Sequence, residues 1–235
     1  GGANVAFGRE ALESNTTADN NTGIGYFALK ANTTGIQNTA VGALAGDAIT
    51  TGSYNISLGY KALSSDTAGN RSVAIGREAL LNQNFTSSTE SYNTAVGYGA
   101  GLSVTTGTLN TLIGGLAGDA ITTGSNNVAL GHDSLGLNTT GDSNTAIGED
   151  ALQANTTASN NVAVGRRAMF ANTTGTDNVA MGHNALDANT TASNNTAIGH
   201  DALTANTTGT ENTALGAVAL AANTTANNNE AFGYG

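Results

Sequence analysis

The chain has no cysteine, no proline and no tryptophan. Without thiols there is no disulfide framework, no thiolate metal site and no cysteine nucleophile. Charge is scarce and lopsided: 7 Lys and Arg stand against 17 Asp and Glu, a formal net charge of −10. Seven scattered basic residues do not make the basic patch that binding nucleic acid requires. No stretch of 18 apolar residues occurs, so no membrane insertion is expected. No G-x-S-x-G elbow, H-E-x-x-H pair or P-loop is present, and the acidic residues form no repeated pair. Neither catalysis nor a cofactor is expected. The chain begins without Met or a signal peptide and reads as excised from something longer.

What the chain has in abundance is Gly, Asn, Thr and Ala, arranged periodically. The string N-[TV]-A-Φ-G, with Φ large and apolar, recurs along its whole length. Its glycines are Gly8, Gly25, Gly42, Gly59, Gly76, Gly97, Gly114, Gly131, Gly148, Gly165, Gly182, Gly199, Gly216 and Gly233. Twelve of the thirteen intervals are 17 residues, and the one from Gly76 to Gly97 is 21. A repeat of N-T-A-I-G-x-x-A-L-x-A-N-T-T-G-x-x defines slots 1 to 17, with the glycine at slot 5. Seventeen residues are too few for two helices and their turns, and the glycine and β-branched content disfavours helix. A parallel β-solenoid of about fourteen coils, each ~4.8 Å above the last, accommodates the period. Residues 1–235 then form a single all-β repeat domain, with four extra residues within 82–92.

The slots carry distinct expectations. Slot 5 demands a residue that tolerates positive φ or close backbone approach. Slot 1 is Asn in all coils but one, including Asn21, Asn38, Asn144 and Asn195, which suits an amide ladder along the axis. Slot 4 is always large and apolar, as in Ile24, Ile147 and Ile198, and is expected to face the core. Slots 8 to 14, such as ALQANTT from Ala151, read as a second strand-like run. Most coils have Leu at slot 9, as in Leu152 and Leu203, and Asn at slot 12. Gly46, Gly101 and Gly118 instead occupy slot 9 in coils where slot 12 is Ile49, Val104 or Ile121. An apolar group that moves three positions instead of vanishing implies one core volume shared by slots 9 and 12, since a cavity there would cost ~2–5 kcal/mol. Two large apolar groups per coil make a thin core, so packing between chains is expected, with the alanines of slots 3 and 8 allowing close approach.

The run NTAIGHDALTANTTGTENTALG, from Asn195 to Gly216, resembles the head repeats of YadA-like trimeric autotransporter adhesins. It is similar also to the NTAxGxxAL repeats of phage and bacterial tail-fibre-like proteins. The resemblance covers all fourteen coils, with a period longer than in typical adhesin heads. It implies a left-handed β-roll, a homotrimer of chains side by side, and display at a cell surface or on a virion fibre.

Several residues are candidates for contact or modification. His132, His183 and His200 share slot 6, and the last two, with Asp201, offer a weak divalent-metal constellation. A solvated turn is the plainer reading, and no metal site is assigned. Tyr26, Tyr60 and Tyr98 also fall at slot 6, and Phe85 lies in the insertion; these are candidates to touch a glycan or a neighbouring fibre. Asn15, Asn32, Asn138, Asn155, Asn172, Asn189, Asn206 and Asn223 each open an N-x-[ST] acceptor. The leading expectation is a non-enzymatic, self-associating shaft of an extracellular fibre or filament, trimeric or stacked end to end, serving attachment or a biofilm matrix. The alternative is an adhesin or tail-fibre rod recognising a host glycan or matrix protein. An ice-binding solenoid using the Thr pair of slots 13 and 14 comes third.

Overall fold

The computed structural model describes residues 2–235. Among the described residues there is no helix, and all regular structure is β. Contacts divide the chain into two compact units, Gly1–Leu116 with Ile121–Thr123 and Ala117–Ala120 with Gly124–Gly235. The sequence reading took residues 1–235 as one repeat domain. A division of this kind is natural where each coil meets only its neighbours.

The first unit carries β1 (Val5–Phe7), β2 (Thr22–Ile24), β3 (Thr39–Val41), β4 (Ile56–Leu58), β5 (Gly69–Asn70), β6 (Val73–Ile75), β7 (Thr89–Glu90), β8 (Thr94–Val96) and β9 (Thr111–Ile113). Strands β1, β2, β3, β4, β6, β8 and β9 pair in that order, all parallel. The second unit carries β10 (Val128–Leu130), β11 (Thr145–Ile147), β12 (Val162–Val164), β13 (Val179–Met181), β14 (Thr196–Ile198), β15 (Thr213–Leu215) and β16 (Glu230–Phe232). These also pair in chain order and in parallel. The register is one repeat per step, as in Thr196↔Thr213 and Ile198↔Leu215. Each unit is therefore a parallel β-solenoid of 17-residue coils, the fold that the period predicts. The four extra residues are absorbed between β6 and β8, where the register step becomes Val73↔Thr94, and a short parallel pair forms between β5 and β7.

Slot 5 explains the invariant glycine. Gly148 has φ +130° and Gly199 φ +137°, a region closed to side chains. A Cβ on Gly199 would lie 2.4 Å from the carbonyl oxygen of Gly216, the same slot one coil on. The corner glycines stack backbone on backbone.

The interior is filled by two rows of small residues and one row of large apolar ones. Slot 3 (Ala146, Ala163, Ala197), slot 8 (Ala151, Ala168, Ala202) and slot 9 (Leu152, Met169, Leu203) are fully buried. Asn at slots 1 and 12 completes the lining. The shared volume of slots 9 and 12 is real: a Cβ on Gly46 would sit 3.0 Å from Ile49 Cδ1. Leu112, the one large residue at slot 3, also enters this volume and would lie 2.7 Å from a Cβ on Gly101.

Three expectations are corrected. Slot 4 does not face the core: Ile24 is 36% exposed, Leu215 44% and Phe7 75%, and Ile147 and Ile198 are half-buried. Strand alternation puts slots 3 and 4 on opposite faces, and the narrow interior takes the alanine. The alanines of slots 3 and 8 are consequently sealed inside and cannot serve lateral packing between chains. Slots 8 to 14 form no strand either. Slots 7, 9 and 17 adopt left-handed φ, as at Asp150 (57°), Leu152 (50°) and Asn160 (62°), which breaks the extended run. Leu in this conformation is costly, at ~1–2 kcal/mol. Coil-to-coil bonds such as Leu152 N–H to Ala168 O at 3.0 Å hold it there.

Candidate interaction surface

The inside of each coil is a polar ladder, and it is used up by structure. At slot 1, Asn178 Nδ2 donates to Ala192 O at 2.9 Å, and its Oδ1 accepts the backbone N–H of Asn195 at 2.9 Å. Its own backbone N–H donates to Asn161 Oδ1 at 3.0 Å, so the pattern passes from coil to coil. Slot 12 runs a second ladder: Asn155 Nδ2 donates to Asn138 Oδ1 at 2.8 Å and to Ala158 O at 3.0 Å. The slot-12 ladder stops where Ile49 replaces Asn, and Asn32 Oδ1 is left buried without a partner among the described residues.

This geometry overturns most of the glycosylation candidates. Asn32, Asn138, Asn155, Asn172, Asn189 and Asn206 are fully buried, and the Nδ2 that would carry a sugar is bonded inside the coil. Only Asn15 and Asn223 are partly exposed, and both still donate to a carbonyl three residues on.

At the insertion the ladder is rebuilt with different groups. Asp66 takes slot 12, and its Oδ1 accepts the N–H groups of Gly69 and Phe85 at 3.1 and 3.0 Å. Gln83, slot 12 of the next coil, donates to Asp66 Oδ2 and to Ser72 Oγ, both at 2.7 Å, while its own Oε1 accepts from Asn93 at 2.8 Å. Phe85, expected as an outward contact, is instead buried, packed beside Gly69. An extra backbone loop needs core of its own, and Phe85 supplies it.

Burial raises the carboxyls of Asp66, Asp47 and Asp119 above their ordinary value of 3.8; repulsion from Asp133 adds to the effect at Asp119. A carboxyl raised in the fold favours the folded state while protonated, and that advantage is lost as pH climbs from 3.8 through the folded value. Thermal unfolding followed on acidification from neutral pH is therefore expected to give a Tm that rises as pH falls through the folded values towards 3.8, the opposite of a protein held by salt-bridged carboxylates. Asp66→Asn is expected to flatten that slope.

Outside, three faces remain. One lies over slots 6 and 7. In the first unit, Tyr26, Tyr60 and Tyr98 are exposed as expected. Arg77 sits between the last two, 5.9 Å from the Tyr60 ring and 5.7 Å from the Tyr98 ring, and Tyr26 stacks on Phe27 at 3.9 Å. In the second unit the same face brings His183 and His200 together, rings stacked 5.3 Å apart, with Asp201 alongside. His132 is not part of this group.

The second face is slots 13 and 14. Slot-13 hydroxyls donate to the carbonyl of the next coil's Thr, as Thr173 Oγ1 does to Thr190 O at 2.9 Å. They belong to the ladder, so of the Thr pair that suggested ice binding the exposed member is slot 14, as at Thr174, Thr191 and Thr208.

The third face is the β-sheet surface of slots 2 and 4. In the first unit it aligns Phe7, Ile24, Val41, Leu58, Ile75, Val96 and Ile113; in the second, Leu130, Ile147, Val164, Met181, Ile198, Leu215 and Phe232. All fourteen are exposed or half-exposed. Between them stand the Thr, Val and Ile of slot 2, and the only charge in either row is Glu230. No protein-family model, curated protein or solved structure matches the chain. Functional inference therefore rests on these faces. Among them the sheet face stands out, because a continuous apolar stripe in register is rare on a monomer's surface. Nothing in the sequence pattern alone separated it from core, since slot 4 is as apolar as slot 9.

Proposed function

We propose that the chain is a non-enzymatic structural solenoid, a segment of an extracellular fibre or filament shaft serving attachment or a matrix, whose copies associate side by side through the slot 2 and slot 4 face. The observation that carries this reading is the apolar stripe itself. The interior is complete without slot 4, so fourteen large apolar side chains have no role in filling the coil. Each offers on the order of 1–2 kcal/mol on burial, and the same stripe on a second copy, with the same repeat, is its natural cover. Glu230 is the one charge on this face and the rest of the chain's net charge of −10 lies off it, so chains can meet along most of the face without setting like charges against each other. A homotrimer at a cell surface or on a virion fibre is the arrangement that the resemblance to adhesin heads and tail-fibre repeats implies.

Light scattering on the purified chain is expected to give about three times the 23.2 kDa of one copy. Ile147→Lys combined with Ile198→Lys is expected to return it to a single copy with unchanged circular dichroism, because both side chains point away from the core. A wild-type chain that runs as a 23.2 kDa monomer sinks the reading.

A second reading, a rod that recognises a surface glycan, draws on the exposed Tyr60–Arg77–Tyr98 row, since aromatic faces beside a guanidinium suit sugar rings and their charged substituents. Glycan-array binding lost in Tyr60→Ala with Tyr98→Ala would favour it.

A further inference from the structure

We propose that His183, His200 and Asp201 form a binding site for one divalent transition-metal ion of the zinc, nickel or copper class, a site independent of whether the chains associate. The solenoid register brings the three together. His183 and His200 occupy slot 6 of consecutive coils, each following a corner glycine, and their rings stack 5.3 Å apart with an interplanar angle of 17°. Asp201 follows at slot 7, tied back to the first coil by its N–H to His183 O at 3.0 Å. One ligand atom from each residue lies within 4.8 Å of the other two. Around a bound zinc ion such atoms stand about 3.3 Å apart, given bonds near 2.1 Å. The ring planes are nearly parallel and imidazole lone pairs lie in the plane, so binding turns the two rings about their side-chain torsions until the nitrogens converge, while consecutive coils already hold the backbone spacing.

The donor set selects the ion. Two imidazoles and one carboxylate suit borderline metals, whereas calcium and magnesium want oxygen alone. Asp201 is also oriented from outside: its Oδ1 accepts from Asn184 Nδ2 at 3.1 Å, while its Oδ2 lies 3.2 Å from His200 Nδ1. The Asn184 bond engages Oδ1 and leaves Oδ2, now beside His200 Nδ1, as the oxygen that turns onto an ion. One feature opposes binding. Arg166 Nη1 lies 3.5 Å from His183 Nε2. Glu149 pairs with the same guanidinium at 3.2 Å, which offsets part of its charge and gives it an alternative position.

The test is calorimetric titration of the full chain with Zn2+ near neutral pH, with Co2+ absorption as a spectroscopic check. One ion per chain is expected. His183→Ala and His200→Ala should each weaken binding tenfold or more, and Asp201→Asn should weaken it while keeping the left-handed backbone that Asn tolerates. Arg166→Ala should tighten it several-fold. His132→Ala, at slot 6 but outside the group, should leave it unchanged. The proposal is overturned if no saturable binding is found below about 1 mM, or if His132→Ala weakens binding as much as His183→Ala, which would mark scattered surface coordination. All these side chains are at least partly exposed, so circular dichroism is expected to stay constant across the series.

Discussion

Gly199→Ala is expected to destabilise the second unit by about 3–6 kcal/mol, the sum of a left-handed residue forced to carry a side chain and an overpacked contact. The contact cannot relax cheaply. The added carbon would lie 2.4 Å from Gly216 O, 2.5 Å from Gly216 C and 2.9 Å from Ala217 N, all backbone atoms. Moving Gly216 away would strain its N–H bond to Ile198 O, now 2.8 Å. Since a domain's whole stability is only ~5–15 kcal/mol, the loss should show as a large drop in the urea midpoint. Thr208→Ala, on an exposed slot-14 position of the same coil, supplies the control and should stay within about 0.5 kcal/mol of wild type. Equal midpoints for the two variants would mean that the corner glycines do not stack as described.

Asn178→Ala is expected to cost about 2–4 kcal/mol. It leaves the buried N–H of Asn195 without its acceptor, at about 1–3 kcal/mol, removes one of the two donors to Ala192 O, which keeps Asn189 Nδ2 at 3.0 Å, and leaves a gap beside them. Asn178→Asp should be worse at neutral pH and recover on acidification. A carboxylate accepts but cannot donate to Ala192 O, whereas its protonated form can. The chain shows what a buried carboxylate needs in such a ladder: Asp66 has two backbone N–H groups and the Gln83 amide aimed at it. Position 178 has a carbonyl where Asp66 has donors. Hydrogen exchange should report the damage locally, in the coils on either side, because neighbours carry the stability of a stacked repeat. Uniform loss of protection along the chain would contradict the ladder account.

These two cases also show how far the sequence reaches. The period, the corner glycine and the slot-1 amide could be read directly, because each is a backbone requirement repeated in every coil with almost no choice of residue. The exchange of Leu and Gly at slot 9 with Asn and Ile at slot 12 was readable too, since volume must be conserved inside. The insertion was visible as four extra residues, but its consequence was not: nothing local says that Phe85 turns inward, or that Gln83 extends the ladder from Asp66. Slot 15 takes Gly in some coils and Ala in others, such as Ala158 and Ala192, yet the choice is fixed coil by coil: a Cβ on Gly175 would meet Ala192 O at 2.1 Å, and one on Gly209 would meet Ala226 O at 2.4 Å.

The sequence by itself determined the coil: its length, its parallel stacking, its glycine corner and its slot-1 amide ladder. These follow from backbone chemistry, which a repeated residue exposes. Only the tertiary structure decided which way each coil faces. Alternation offers two sides and hydropathy prefers the larger group inside, yet left-handed residues at slots 7, 9 and 17 wind the coil so that slot 3 takes a small residue in every coil but that of Leu112, which lies against Gly101 at slot 9. That turned Ile147, Ile198 and their equivalents outward, and it converted a supposed core into the surface on which the proposed function rests.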